Sequence, residues 1–506
     1  MPEGPDDCVP QGVTDFIFDL YDSVSTSQIA EEQSRLYRTT LHELSQKYFT
    51  STPWPSANSS IARECNGDSL FLAVYREMTH RHWHNVSRPT LSDRIEGWDV
   101  YRELFEVILE MSEPSFFLIP DWVFAILHEF VYQYQSFCQT RTAVFLAAKK
   151  QGILDSEGNP TGADVSSKHA LLMDNLQVLQ ANKDAWEVEA VFSYLNRLIE
   201  LGTKTQNPTP VATYFCVFGS VVLSRLECLL GDYTACLQAL DTISEIEDRV
   251  IPKDEKPTVA QVLASVVEAR VTIAYHSGTA YLQLRRYKDA GVVLADCAGL
   301  LQRGFKTGAL RQQYEQFSKM YDRMLSLIAV LQQVCPGLPS AEEGILRAAY
   351  EKHGSKIEAA TSYEDWFQAP RFIVADPAVG PISRQQVEIF NQITKPVANG
   401  KTLRSYLKLY STLSVQKLAS FHDLEPNDFV PFLLSYKSNM RQLERTGSSY
   451  SEGTYKSALD MHYYIDNETV HVDEPEIQRR FETYFVNQIA QCAEIRREAR
   501  AINTII

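Results

Sequence analysis

The stretch that decides the fold is residues 461–472, Met-His-Tyr-Tyr-Ile-Asp-Asn-Glu-Thr-Val-His-Val. A polar pair, Asp466-Asn467, divides it, and apolar residues occupy every second position on each side. These apolar residues are Met461, Tyr463, Ile465, Val470 and Val472. A period of two is typical of strands with one buried face, and the polar pair favours a turn. We therefore predict a β-hairpin here, whose exposed edge could pair with another strand.

Two predicted helices precede the hairpin. Residues 403–410 and 414–419 belong to the first, with Val415, Leu418 and Ala419 as its inward stripe. The second is predicted to run from Pro426 to Arg445. It begins at Pro426 because proline in a first helical turn sacrifices no hydrogen bond. Its apolar residues recur at helical spacing and are Phe429, Phe432, Leu433, Tyr436, Met440 and Leu443. Two helices followed by a hairpin predict a winged helix-turn-helix over residues 403–473.

The opposite face of the second predicted helix carries three basic residues, Lys437, Arg441 and Arg445. A recognition helix contacts phosphates with such residues, so these three could face RNA. The net charge of −16 opposes nucleic-acid binding by the chain as a whole. A solvated basic face is therefore favoured, and RNA contact is the alternative.

Residues 474–506 are predicted to form a long amphipathic helix, capped by Asp473 and begun by Pro475. Its apolar stripe comprises Ile477, Phe481, Tyr484, Phe485, Ile489, Cys492 and Ile495. Beyond Ile489 the helix is expected to extend past its own domain. Bundling with helices of a partner is therefore favoured over packing within the chain alone.

Helical periodicity dominates the rest of the chain, and few strands are expected before residue 460. Residues 1–148 are predicted to form an N-terminal helical domain, whose helix after Pro120 is apolar on nearly all sides and hence deeply buried. Residues 149–168 are rich in Gly, Asp, Ser and Pro and are predicted to be a loop or linker. Residues 346–402 are predicted to be a connector, extended over residues 366–400.

Residues 169–345 have a repeat-like pattern. Segments 229–240 and 284–294 both place a turn before a tyrosine, Tyr233 or Tyr287, followed by a small residue and large apolar ones. This is typical of helical hairpins in tetratricopeptide-like (TPR-like) repeats, although the separation exceeds the regular period of about 34 residues. The predicted fold is mostly α: irregular TPR-like helical repeats, then a winged helix and a long C-terminal helix.

Composition and cysteine usage favour a globular protein of the cytoplasm. The 506 residues are 44% hydrophobic and 22% charged, which argues against wholesale disorder. Nine scattered cysteines, none in a Cys-x-x-Cys pair, favour reduced, buried thiols over disulfides or zinc. No signal-peptide pattern is present, and no apolar run approaches the roughly 18 residues of a membrane span.

The strongest catalytic candidates are Glu77, His80 and His84, which share one face of a predicted helix. A metal site in a helical bundle needs a second Glu-x-x-His, and none is found on a facing predicted helix. Phosphate-binding loops and nucleophile motifs are missing too. We assign no catalytic residue, metal or cofactor and predict that the protein is not an enzyme. A metal-dependent enzyme using His80 and His84 is the alternative.

Helical repeats, a winged helix and a terminal helix in this order resemble the PCI-domain family of the proteasome lid, the COP9 signalosome and eukaryotic translation initiation factor three. Collinear stretches along nearly the whole chain look most like the initiation-factor members. They are residues 52–55, 70–82, 129–137, 229–233, 280–290, 404–410, 415–419 and 464–466.

The resemblance implies a non-catalytic scaffold subunit of a cytoplasmic hetero-oligomer. Its implied partners are other initiation-factor subunits and the small ribosomal subunit, with messenger or ribosomal RNA contacted indirectly and no membrane. In the family, winged helices align laterally and C-terminal helices join a shared bundle. Carried onto this chain, the partner-binding residues are Tyr463, Ile465, Val470, Val472, Phe481, Tyr484, Phe485 and Ile489. A proteasome-lid or signalosome subunit, with the same fold and other partners, is the alternative.

Overall fold

The computed structural model describes residues 9–473, except for residues 28, 58–64, 112–113, 115, 156–169, 205–207, 250–257, 336–337, 339–342, 361, 378–381 and 460. Beyond residue 473 it describes residues 488, 489, 492 and 496. Helices make up most of this part of the chain, and the strands that it contains follow residue 411. The predicted mostly-α fold is confirmed.

The N-terminal helices are α1 (Gln11–Asp22), α2 (Ala30–Arg35), α3 (Leu41–Tyr48), α4 (Ser69–Val86), α5 (Leu91–Glu110) and α6 (Pro120–Lys150). Two π-helical turns, Ser23–Ser27 and Leu36–Thr40, join the first three. Asp68 caps α4 as expected, because its carboxylate accepts from the backbone N–H groups of Leu70 and Phe71. Thr90 and Asp93 form a capping box at the start of α5.

Helix α6 is deeply buried, as predicted. Trp122, Phe130 and Tyr134 on it are inaccessible to solvent. The ring of Phe130 lies 5.0 Å from that of Phe105 and 5.4 Å from that of Trp186, measured between centroids. Aromatic rings packed at these distances contribute both buried area and favourable ring–ring contact.

The middle of the chain contains α7 (Ala170–Ala181), α8 (Val188–Thr203), α9 (Pro210–Leu230), α10 (Tyr233–Arg249), α11 (Val259–Ser265), α12 (Val267–Gln283), α13 (Tyr287–Thr307) and α14 (Tyr314–Val334). The two hairpins that the sequence predicts are α9–α10 and α12–α13. Gly231 ends α9 with φ of 91°, and Arg285 turns the second hairpin with φ of 60°. A Cβ on Gly278 would come within 2.7 Å of the Leu294 side chain, so this glycine lets α12 and α13 approach closely.

Helix α9 corrects one expectation from the sequence. By length and composition it is apolar enough to cross a membrane, whereas no apolar run of that kind was expected. In the fold, 78% of its most apolar window is buried inside the protein, where it packs between neighbouring helices. Its composition is therefore that of a core helix.

The prediction of an extended connector over residues 366–400 is wrong for residues 382–400, which are helical, whereas residues 367–377 contain no helix or strand. Residues 343–409 contain α15 (Glu343–Ala349), a π-helical turn (Tyr350–Gly354), α16 (Ser355–Glu358), a 3-10 turn (Glu364–Trp366) and α17 (Ile382–Leu409). Buried side chains anchor this region to the rest of the fold, and the ring of Phe367 stacks on that of Phe390 at 4.1 Å. Apolar residues on α17, not the prolines before it, determine the structure here.

Residues 412–473 form a compact unit that we call the winged module. Its elements are β1 (Thr412–Ser414), α18 (Val415–Ser420), α19 (Pro426–Asn439), β2 (Arg441–Glu444), β3 (Thr454–Ser457), β4 (His462–Asp466) and β5 (Thr469–Asp473). One antiparallel sheet has the order β1-β5-β4, and β2 and β3 form a separate antiparallel ribbon. The inward stripe of Val415, Leu418 and Ala419 is confirmed, since all three are buried.

The second helix of the winged module ends earlier than predicted. It stops at Asn439, and residues 441–444 form β2 instead of a last helical turn. In β2, Leu443 lies opposite Tyr455 of β3, a strand that the sequence pattern did not predict. Pairing between strands that are distant in sequence thus overrides the helical spacing of Met440 and Leu443.

Candidate interaction surfaces of the winged module

The predicted hairpin is formed by β4 and β5, with the turn one residue later than expected. Asn467 and Glu468 occupy the two turn positions with φ of 44° and 61°. Positive φ at both positions is the geometry of the two-residue turn that matches the twist of paired strands. In the register, Ile465 faces Val470 and Tyr463 faces Val472, so the apolar residues share one face.

This apolar face points into the winged module. Tyr463 is 1% exposed and Val470 is 0% exposed. The Tyr463 hydroxyl donates to Leu433 O (2.8 Å), and Lys437 Nζ donates to Tyr463 O (2.5 Å). Burial raises the pKa of Tyr463. These contacts attach the hairpin to α19, so the prediction that Tyr463 and Val470 contact a partner is corrected.

Ile465 and Val472 are only partly buried and pack against the same core. The face that solvent reaches is the opposite one, which we call the outer face. It comprises His462, Tyr464, Asp466, Thr469, His471 and Asp473. Tyr464, 48% exposed, stacks on His471 with ring centroids 5.1 Å apart and planes 12° from parallel. Among the described strands β4 pairs with β5 only, and Lys437 Nζ covers the Tyr463 carbonyl on the other edge, so a further strand could pair there beside Ile465.

Other exposed apolar side chains lie on or beside the winged module. They are Leu409 and Tyr410 at the end of α17, Leu424 before α19, Leu434 on α19 and Tyr455 on β3. The sequence analysis missed them, although Leu433-Leu434 held a signal. Adjacent residues on a helix point about 100° apart, so both cannot face the same narrow core stripe. Leu433 is buried and Leu434 is 52% exposed.

The sequence predicts that the three basic residues share one helix face, but the structure places them on different elements. Lys437 lies on α19 and its ammonium sits over the Tyr463 ring, 5.3 Å from the centroid. Arg441 lies on β2, with its guanidinium 5.8 Å from the Tyr455 ring centroid. Arg445 follows β2, and its guanidinium is 4.0 Å from the Tyr450 ring centroid. The helix ends before Arg441, so the predicted basic stripe is divided between different elements.

The predicted tail stripe is largely outside the described residues. Phe481, Tyr484 and Phe485 are among the residues for which no position is described. Ile489 is in a helical conformation and 68% exposed. The same predicted stripe includes Cys492, which is exposed.

The histidine cluster on α4 is part of the interior. Glu77 accepts from the Tyr101 hydroxyl (3.1 Å) and pairs with Arg81 at 3.1 Å. His80 and His84 are buried with ring centroids 6.2 Å apart, and burial lowers the pKa of His84 to about 4. Within the described residues, no group of three or more His, Cys, Asp or Glu side chains could hold a metal ion. The arrangement fits a polar layer between α4, α5 and α6.

Comparison with known proteins identifies the family of this chain. The family model described as RNA polymerase I-associated factor PAF67 matches residues 93–492. Eukaryotic translation initiation factor 3 subunit L of Gallus gallus is 31% identical over 91% of this chain and 82% of its own length. The subunit of the same name from Homo sapiens is 30% identical over the same shares. That of Nematostella vectensis is 29% identical over 98% of this chain and 94% of its own length. The chain therefore belongs to the family of eukaryotic translation initiation factor 3 subunit L.

Proposed function

We propose that the protein is a non-catalytic scaffold subunit of the eukaryotic translation initiation factor 3 complex in the cytoplasm. Family membership supports this assignment. The observation that carries it is a winged module with a complete buried core that still exposes large apolar side chains. We take the large apolar side chains that the module leaves exposed as candidates for contact with a partner.

The proposed mechanism is positional. The outer face and the free edge of β4 bind a neighbouring subunit, with Tyr464 and His471 as contacts and strand pairing as the source of orientation. Ile465 and Val472 support this edge from behind. The tail stripe, including Phe481, Tyr484, Phe485 and Ile489, joins helices of other subunits. Burying these faces fixes where each subunit lies relative to the next.

The complex is proposed to act on the small ribosomal subunit and to support recruitment of messenger RNA. The acidic chain makes indirect RNA contact the favoured arrangement. Arg441 offers an exposed cation beside an exposed aromatic ring, Tyr455, so this pair is the first place to look for direct contact.

The test is purification of the tagged full chain from its native cell, followed by a density gradient and mass spectrometry. We expect co-migration with other subunits of the initiation factor and with small ribosomal subunits. Leu434→Asp and Tyr464→Asp should each reduce this co-migration, because they place a charge where an apolar contact is proposed.

The matched control is Tyr314→Asp, which changes a similarly exposed tyrosine (53% exposed) on α14, outside the winged module. It should leave co-migration unchanged. Migration of the unaltered chain as a monomer, or with proteasome-lid or signalosome subunits, would refute the proposed function. Equal effects of all three variants would refute the assigned surface.

A further inference from the structure

The loop between β2 and β3 lies on the helical repeats. We call residues 445–452 the docking loop. The carboxylate of Asp241 on α10 accepts several hydrogen bonds from this loop. The donors are the backbone N–H groups of Tyr450 and Ser451 and the hydroxyls of Ser449 and Ser451. Ser449 Oγ and Ser451 N lie 3.1 Å and 3.3 Å from Asp241 carboxylate oxygens. One carboxylate therefore holds three consecutive residues of the loop.

Arg286 holds the same loop from the other side. Its guanidinium donates to Ser451 O (2.7 Å) and to Glu452 O (3.1 Å). Only 3% of the Arg286 side chain is exposed, and its Nε pairs with Asp289 at 2.8 Å. Asp289 in turn accepts from Arg445 N at 3.1 Å. The chain of contacts thus runs from α13 into both ends of the docking loop.

Further contacts come from the turn between α12 and α13. Arg285 donates to Asn439 Oδ1 (3.2 Å), and Lys288 pairs with Glu444 at 2.5 Å. Four of the five residues from Arg285 to Asp289 therefore contact the winged module or its loop. The sequence resemblance includes this run, but the scaffold mechanism above gives it no role.

The chemistry of the contact is one-sided. The repeats supply mainly charged side chains, together with the hydroxyls of Tyr281 and Ser244, whereas the docking loop supplies mainly backbone groups and serine hydroxyls. Hydrogen bonds to charged groups are stronger than neutral ones, and a buried charge that loses its partners is costly. The orientation of the loop thus depends much more on Asp241 and Arg286 than on the loop side chains.

We propose that Asp241 and Arg286 are positioning residues that set the orientation of the winged module on the repeats. The inference rests on the proposed function: partner binding requires them, although they lie beneath the loop and not on the outer face. A subunit whose docking loop is loosened still folds, because the module and the repeats share one buried core, but it presents the β4 edge over a wider range of directions and binds its neighbours more weakly.

The test compares Asp241→Ala and Arg286→Ala in the full chain with two exposed controls, Asp174→Ala and Arg311→Ala. Hydrogen exchange is followed at the Tyr450, Ser451 and Arg445 amides, which donate to Asp241 and Asp289. Loss of one charge-assisted contact should speed exchange there by roughly ten-fold or more. Co-purification with initiation-factor subunits should fall several-fold, while both controls behave like the unaltered chain.

Milder variants keep the proposal testable if either alanine variant fails to fold. Arg286→Lys keeps the charge but loses the two-pronged geometry, and Ser449→Ala with Ser451→Ala removes only two hydroxyl donors. Both should loosen the loop less than Arg286→Ala and reduce co-purification in proportion.

Unchanged exchange in Arg286→Lys and in the double serine variant would overturn the contact. Faster exchange with undiminished co-purification would overturn the positioning role and leave the proposed function standing. If the unaltered chain itself does not co-purify with initiation-factor subunits, the proposed function fails, whereas the exchange data still report on the loop.

Discussion

Most aromatic residues of α6 are buried, whereas the winged module combines buried aromatic residues with strongly exposed ones. Trp122, Phe130 and Tyr134 of α6 are inaccessible, whereas Tyr455 and Tyr464 of the winged module are 71% and 48% exposed. The N-terminal helices bury most of their aromatic side chains against one another, although Tyr132 of α6 is 43% exposed. The winged module buries Phe429 and Tyr463 in its own core as well, but it leaves Tyr455 and Tyr464 exposed, where the proposed function expects a partner.

This difference separates side chains that stabilise the fold from side chains that are proposed to bind partners. A buried large side chain contributes roughly 1.5–3 kcal/mol through removal from water, and more through close packing. An exposed one contributes almost nothing to folding and becomes valuable only when a partner buries it. Substitutions in α6 should therefore change folding, and substitutions on the outer face should change assembly.

The largest expected effect is on α6. Phe130→Ala should lower the free energy of unfolding by about 3–5 kcal/mol, because it opens a cavity among packed rings. Denaturant unfolding of the purified chain measures this. Leu146→Ala on the same helix is the control, since Leu146 is 55% exposed and its loss should change stability by less than about 0.5 kcal/mol. Equal losses of stability in Phe130→Ala and Leu146→Ala would contradict the distinction between buried and exposed side chains.

A second effect, of intermediate size, concerns pH. Burial, with Arg225 nearby, lowers the pKa of His276 on α12 to about 3. Between pH 6.5 and 3 the unfolded chain therefore binds a proton at His276 that the folded chain does not, so stability falls on acidification. The loss from this residue should be about 2 kcal/mol between pH 7 and pH 5.

Unfolding of His276→Gln at both pH values measures that contribution. The variant should lose less stability than the unaltered chain between pH 7 and pH 5, by about 2 kcal/mol. His42→Gln, a change at an exposed position, should keep the original pH dependence. An unchanged pH dependence in His276→Gln would show that other groups account for the acid sensitivity.

The smallest expected effect separates the two faces of β4. Tyr463→Phe removes the hydroxyl that donates to Leu433 O inside the fold and should cost about 1 kcal/mol. Tyr464→Phe, its neighbour on the outer face, should leave stability unchanged. Thermal and denaturant unfolding of both variants measure these changes in stability. A larger loss in Tyr464→Phe would mean that the inner and outer faces are assigned the wrong way round.

The sequence predicted the elements whose signals are local. The alternation around Asp466-Asn467 identified the hairpin, and the turns before Tyr233 and Tyr287 identified two helical hairpins. Alternation alone marks one face as apolar without saying what covers it. Tyr463 and Val470 were therefore expected at a partner interface, whereas α19 and the rest of the module bury them.

The features that the sequence did not predict depend on distant contacts. Residues 441–444 leave helical geometry because they pair with β3, whose residues 454–457 lie beyond the loop. The docking loop has no local signal either, since Asp241 and Arg286, which bind it, lie 210 and 165 residues before Ser451. Spacing patterns report neighbours along an element and carry little information about partners at that separation.

The order of strands in the sheet has a consequence for biosynthesis. The central strand β5 comes last among β1, β4 and β5, and β1 pairs with no other described strand. While the chain emerges from the ribosome, β1 therefore has no sheet partner until residue 473 has left the exit tunnel. The N-terminal helices and the repeats precede the winged module in the chain and can fold before then. A nascent chain thus acquires its helical body first and its winged module afterwards, so the surfaces that we propose for partner binding form late and have little time for premature association.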